Sequence, residues 1–182
     1  FHPIKTITTG EGGIATTNDK RIYQKLKLFR NHGITKNKKH FYYKNNNPWY
    51  YEQKVLGFNY RMNDIEAALG ISQLKRLDAI VKKRNYLAKN YNTKLDRNFY
   101  ILQKIPSNVT SSYHLFVIGI NHKKGSTIRK KIFLELKKKD IITQFHYIPI
   151  FTQYYYKNIL KNNDYCPNSI KYSRKYLSIP LY

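Results

Sequence analysis

A single line of apolar residues constrains this chain more than any other feature. Leu74, Leu77, Val81, Ala88, Tyr91 and Leu95 recur at spacings of three, four and seven, so they share one face of a helix running to about residue 96, with room for a bend. Upstream, Asn63 is followed three residues later by Glu66, the pattern of a capping box, so helical structure starts there and runs past Leu74. Beyond Asp96 the period changes. Tyr100-Ile101-Leu102 and Tyr113 to Ile120 (YHLFVIGI) read as strands. Ser126 can cap a helix carrying Ile128, Ile132 and Leu136, and Ile141 to Ile150 reads as an extended segment broken by Pro149. This β-β-α-β order predicts a small α+β unit over residues 97–182, with a boundary near residue 97 setting it apart from residues 1–96. Two short helices are expected at its end, one over Gln153 to Lys161 and one after Pro167.

The first part of the chain predicts a strand followed by a helix. Gly12-Gly13 leads into the β-prone run Ile14 to Thr17, and Asp19 caps a helix whose apolar positions are Ile22, Leu26 and Phe29. Gly33 is its natural stop. From Thr35 to Lys54 the sequence is polar, rich in Asn, Lys and Tyr, and without period. Such long loops often serve as lids or contact segments.

With 182 residues, 41% of them hydrophobic, the chain suits one medium domain or a piece of a larger protein. It begins at Phe1 and stops at Ile179-Pro180-Leu181-Tyr182, and both ends read as cut. No apolar run approaches a membrane span. A single cysteine, Cys166, excludes an intramolecular disulfide and fits a reducing cytoplasm. Thirty-four Lys and Arg against ten Asp and Glu give a net charge of +24, which raises the question of a nucleic-acid partner. The cations are spread along the whole chain, beside an excess of Asn, Ile and 18 Tyr, and this reads as solvated charge on a drifted composition. No His-x-x-x-His pair suggests a metal site, and the scarce carboxylates form no hydrolytic pair.

Lys5, in FHPIKTITTGEGG, stands out from the other lysines. Ile4, Thr6, Ile7, Thr8 and Thr9 surround it, and no charge follows until Glu11. Apolar and hydroxylated surroundings suit a Schiff-base lysine, since desolvation favours the neutral, nucleophilic amine. The glycines at 10, 12 and 13 let the backbone turn sharply. The alternative is a lysine in a turn whose ammonium simply reaches water.

The stretch FHPIKTITTGEGGIATTND resembles the active-site segment of the DegT/StrS family of sugar aminotransferases. LFRNHGI (Leu28 to Ile34), GFNYRMNDIEAALGISQLKRLD (Gly57 to Asp78) and QFHYIPIFTQYYY (Gln144 to Tyr156) extend the resemblance along the whole chain. It is nearest in pattern to the transaminases that aminate C4 of a UDP-4-keto-6-deoxy-N-acetylhexosamine on the way to pseudaminic acid. The resemblance implies the α/β type I aminotransferase fold, here the end of the large domain (1–96) and the small C-terminal α+β domain (97–182). It also implies that the half of the enzyme cradling the cofactor phosphate and pairing with its ring nitrogen lies outside this chain.

The resemblance further implies pyridoxal 5′-phosphate as cofactor, bound by Lys5, with Lys5 moving protons in a ping-pong cycle fed by L-glutamate. Asn59 matches the asparagine that reaches the cofactor phosphate of the other subunit in a homodimer. Arg61 matches a nearby arginine able to hold a carboxylate or phosphate, and His146 and Tyr147 fall in the block that approaches the nucleotide sugar. Two departures bear on the substrate: the long Asn-rich Thr35 to Lys54 stretch, and Tyr154 where proline is expected. A basic nucleic-acid-binding module and a non-catalytic paralogue of the fold are the competing readings.

Overall fold

In a computed structural model, which describes residues 1–157, 159 and 166–182, the chain forms two compact units, Phe1–Arg76 and Leu77–Tyr182. In the first, helix α1 (Lys20–Arg30) starts where expected, with the Asp19 carboxylate accepting the Arg21 and Ile22 amides. It stops as the Gly33 amide turns back to the Leu28 carbonyl at 2.8 Å, across His32 in the left-handed region at φ 56°. Strand β1 (Ile34–Thr35) then pairs antiparallel with β2 (Glu52–Gln53). The loop read between Thr35 and Lys54 is therefore an excursion closed by a short ladder, with one 3₁₀ turn at Lys38–His40 inside it.

Helix α2 (Asp64–Leu74) opens with both bonds of the capping box, Glu66 amide to Asn63 Oδ1 and Asn63 amide to Glu66 Oε2. The expected bend is a break: the Arg76 amide returns to the Gln73 carbonyl, and α3 (Leu77–Lys94) begins at the next residue. The expected strand at Ile14 to Thr17 does not form. No described strand lies beside it to take up its backbone groups, and Ile14 is 76% exposed.

The second unit is built on a three-stranded antiparallel sheet, β3 (Tyr100–Leu102), β4 (Phe116–Ile120) and β5 (Tyr176–Ile179), with β4 in the middle. Alternation along β4 puts Phe116, Ile118 and Ile120 in the core, where they meet Leu177, Leu181 and Ala88 of α3. The Tyr91 ring lies 5.0 Å from that of Phe116, and its hydroxyl donates to the Pro180 carbonyl. Leu87, Ala88, Tyr91 and Leu95 of α3 pack on this core, so α3 is part of the second compact unit.

Three local expectations change for identifiable reasons. Strand β4 starts at Phe116 rather than Tyr113, because Tyr113 has φ 43° and its carbonyl is bound by Arg84. Helix α4 (Gly125–Lys138) begins before Ser126, with Lys124 at its N-cap and no side-chain cap bond. The third strand is β5 rather than Ile141 to Ile150. That segment's backbone bonds to the sheet, among the described residues, are the pair exchanged between Gln144 and Ser178, and past Pro149, which has no amide to give, it turns into a 3₁₀ turn (Ile150–Thr152). Helix α5 (Tyr154–Lys157) covers the start of the helix expected to Lys161, whose later residues, apart from Ile159, lie outside the described ones. Helix α6 (Pro167–Lys175) leads directly into β5.

Candidate active site

Lys5 sits on the outer turn of a loop fastened at its base. Its amide donates to the His2 carbonyl, while the Phe1 carbonyl accepts both the Thr9 amide (3.1 Å) and the Thr8 hydroxyl (2.8 Å). The Gly10 amide returns to the Thr8 hydroxyl, and the Thr9 hydroxyl donates to the Glu11 carbonyl. Thr9 is buried, seated against α2: a Cβ on Gly70 would stand 2.8 Å from its methyl group. Gly12, at φ 127°, passes so close to Met62 that a Cβ would lie 2.7 Å from its terminal carbon. Lys5 itself is exposed, and its ammonium has no bonding partner among the described residues.

Asn59 and Arg61 ride on a strap laid across the end of α1. Phe58 and Tyr60 donate to the Phe29 and Arg30 carbonyls, while His32 donates to Phe58 and Lys54 to Gly33. The first two satisfy carbonyls that the last turn of α1 leaves open. Phe58 and Tyr60 stack at 4.8 Å, and Asn31 bridges Asn59. Both Asn59 and Arg61 are exposed. Arg61 borders two cavities of the first unit. One, of about 820 Å³, is lined by Lys27, Arg30, Lys36, Lys39 and Lys54 among others. The other, of about 680 Å³, includes Gly12, Gly13, Ile14, Tyr23 and Glu66. Neither is lined by Lys5 or Asn59.

His146 and Tyr147 belong to the second unit. The His146 ring lies edge-on to that of Tyr147, and its Nδ1 is 2.8 Å from the hydroxyl of buried Ser178 on β5. Tyr147 is 70% exposed, and the two residues line a cavity of about 550 Å³ with Pro149, Asn168 and Tyr172. Ser178 so fixes the ring of one candidate residue and leaves the other free to meet a ligand.

Sequence reading missed Glu52. Buried at 9% exposure, its carboxylate accepts the Tyr42 and Tyr43 amides, the Tyr50 hydroxyl and the Lys54 ammonium. Burial alone would raise its pKa. The two amides, Lys54 and Tyr50 outweigh that and hold it at about 2, against an ordinary 4.5. One signal was available: it is the single acid between Thr35 and Lys54.

All 182 residues match the DegT/DnrJ/EryC1/StrS aminotransferase family. A UDP-4-amino-4,6-dideoxy-N-acetyl-beta-L-altrosamine transaminase of Helicobacter pylori is 39% identical over 160 residues, covering 87% of this chain and 40% of the relative. The spore coat polysaccharide biosynthesis protein SpsC of Bacillus subtilis is 35% identical, over 100% of this chain and 47% of its own. Among solved structures, Helicobacter pylori PseC, an aminotransferase involved in the biosynthesis of pseudoaminic acid, superposes with a TM-score of 0.84 at 33% identity, covering 99% of this chain and 46% of PseC. The chain spans about half the length of the relatives it matches, and its two units are parts of the type I aminotransferase fold. With every block from the Lys5 loop to the second unit inside that match, the chain belongs to the DegT/DnrJ/EryC1/StrS aminotransferase family.

Proposed function

We propose that this chain is part of a pyridoxal-phosphate-dependent transaminase. It moves an amino group from an amino-acid donor, L-glutamate, to C4 of a UDP-4-keto-6-deoxy-N-acetylhexosamine, a step toward pseudaminic acid or a related surface glycan. The observation that carries the reading is the loop that presents Lys5, its base fastened by backbone and threonine bonds, inside a family match that runs over all 182 residues. A fastened base fits a cofactor-holding lysine, because it fixes the backbone from which Nζ must reach. The identity to altrosamine transaminases supports the choice of sugar.

Lys5 would hold the cofactor through Nζ, and Asn59 would reach the phosphate bound in the other subunit of a cytoplasmic homodimer. Pyridoxal 5′-phosphate, when bound, supplies a conjugated ring that takes up the electron pair of an ionising C–H bond. Displaced by the donor, Lys5 Nζ accepts the proton from the donor α-carbon and, in the second half-reaction, delivers one to C4 of the sugar. Arg61 offers a planar fork for a carboxylate or phosphate. His146 and Tyr147 line the nucleotide-sugar pocket, the ring of the first held by Ser178.

Borohydride treatment of the full-length protein with pyridoxal 5′-phosphate, followed by peptide mapping, tests the assignment. The label is expected on Lys5, and finding it on another lysine would falsify the reading. Lys5→Ala should abolish glutamate-dependent amination of the keto sugar. A Lys5→Ala protein as active as its parent would instead identify a paralogue that does not use this lysine.

A further inference from the structure

A reactive lysine has to be placed as well as exposed. The side chain of Lys5 turns about several single bonds, so the loop can fix only the backbone from which Nζ reaches. Two of the bonds that fasten this backbone run between main-chain groups, the Lys5 amide to the His2 carbonyl at 3.0 Å and the Thr9 amide to the Phe1 carbonyl at 3.1 Å, and ask nothing of the side chains. Two others meet on one side chain. The Thr8 hydroxyl donates to the Phe1 carbonyl at 2.8 Å and accepts the Gly10 amide at 2.9 Å.

A hydroxyl can do both because it carries one donor and two acceptor lone pairs. It joins the chain entering the turn, at Phe1, to the chain leaving it, at Gly10, with Lys5 between them. Gly10 turns its amide onto that oxygen at φ 87°, and no atom stands within 4 Å of where its Cβ would be, so conformation rather than crowding calls for glycine there. Thr9 has a different task. Its hydroxyl stays within its own turn, on the Glu11 carbonyl, and its methyl group seats the loop against Gly70 of α2. In the sequence, the threonines beside Lys5 suggested surroundings for the amine. Thr8 spends its hydroxyl on the backbone instead.

We propose that Thr8 is the positioning residue of Lys5: by clasping Phe1 to Gly10 its hydroxyl sets where the Lys5 backbone stands and so where Nζ can reach. The inference rests on the transaminase reading, in which the same amine holds the cofactor, accepts a proton and later delivers one. Each task needs Nζ at a defined point, and a displacement of about 1 Å can cost about a hundredfold in rate. Thr8 acts through Lys5. Its loss is therefore felt in cofactor capture and in turnover, while binding of the sugar nucleotide is left as it was.

The test uses the full-length protein and pyridoxal 5′-phosphate, with borohydride capture at Lys5 read by peptide mapping beside steady-state kinetics. Thr8→Val keeps the shape and removes both bonds. It should raise the cofactor concentration for half-maximal capture about tenfold and lower kcat about tenfold, with KM for the sugar nucleotide within about twofold of the parent. Thr8→Ser restores the hydroxyl and should bring capture and kcat back to within about twofold. Thr8→Cys offers only a weak donor and a weak acceptor and should lose about threefold in both, which covers the case in which Thr8→Val does not fold. A threonine that serves folding alone would lower the yield of folded protein and leave capture and kcat per folded molecule unchanged. That result, a failure of Thr8→Ser to restore them, or a rise in KM with kcat unchanged, overturns the role given to Thr8 and leaves the transaminase standing if the parent is captured at Lys5. Capture of the parent at a different lysine, or at none, overturns both.

Discussion

Gly57 lies so close to Gly33 that a Cβ on Gly57 would stand 2.2 Å from the Gly33 nitrogen, and one on Gly33 would stand 1.8 Å from the Val55 carbonyl oxygen. The obstacle in each case is backbone, which cannot swing aside as a side chain can. This crossing seats the strap that carries Asn59 and Arg61 on the end of α1. Gly57→Ala should therefore destabilise the protein by about 2–3 kcal/mol in urea unfolding, the cost of overpacking a site that cannot relax. A variant as stable as its parent would show that the strap can lift without cost.

The Glu52 network makes the excursion between β1 and β2 acid-sensitive. Its folded pKa of about 2 lies below the ordinary 4.5, so the bonds favour the carboxylate. Their stabilisation is present above the ordinary value and is lost as pH falls from about 4.5 toward about 2. Hydrogen exchange at the Tyr42 and Tyr43 amides, corrected for intrinsic rates, should show protection falling through that window. In Glu52→Gln protection should already be low at neutral pH and change little on acidification. A parent protein whose two amides stay protected down to pH about 2 contradicts the account.

Asn63 carries half of a reciprocal cap. Asn63→Ala removes the acceptor for the Glu66 amide and should cost about 1 kcal/mol. Asn63→Asp keeps an acceptor and should retain most of the stability, as chemical denaturation will read. Equal losses in the two variants would mean that the cap does not control the start of α2.

Phe116 is fully buried on the central strand of the second unit, against Tyr91 and beside Tyr113. Truncation to alanine leaves a cavity walled by rings and a three-stranded sheet with little freedom to collapse. Phe116→Ala should cost about 3–5 kcal/mol. A loss below about 1 kcal/mol would mean that the core closes over the gap.

Much of the local architecture was legible because its causes are local. Asp19, Asn63 with Glu66, and the Gly33 stop act within a turn of the helix they begin or end, and each does so where the residues indicated. The stripe through Ala88, Tyr91 and Leu95 named the buried side of α3 correctly. It could not name what covers that side, which is the sheet core of Phe116, Ile118, Ile120 and Leu177. Strand β5 was hidden for a related reason. Tyr176–Ile179 is short and follows a helix without a turn signal, and only pairing with β4 makes it a strand. At the candidate site, the sequence pointed to Lys5, Asn59 and Arg61 as single residues. That Arg61 borders a cavity shared with Lys36, Lys39 and Lys54 emerged only from the folded loop.

By itself, the sequence determined where α1 and α2 start, where α1 stops, and which face of α3 is apolar. Caps and amphipathic periods depend on residues three or four apart, so they survive in any context. Tertiary structure alone decided which strands pair, where one unit ends and the next begins, and what a lone glutamate in a polar loop is for. Glu52 shows the reason: four donors converge on it from both arms of the excursion, and its burial, its low pKa and its hold on the loop exist only once those arms have met.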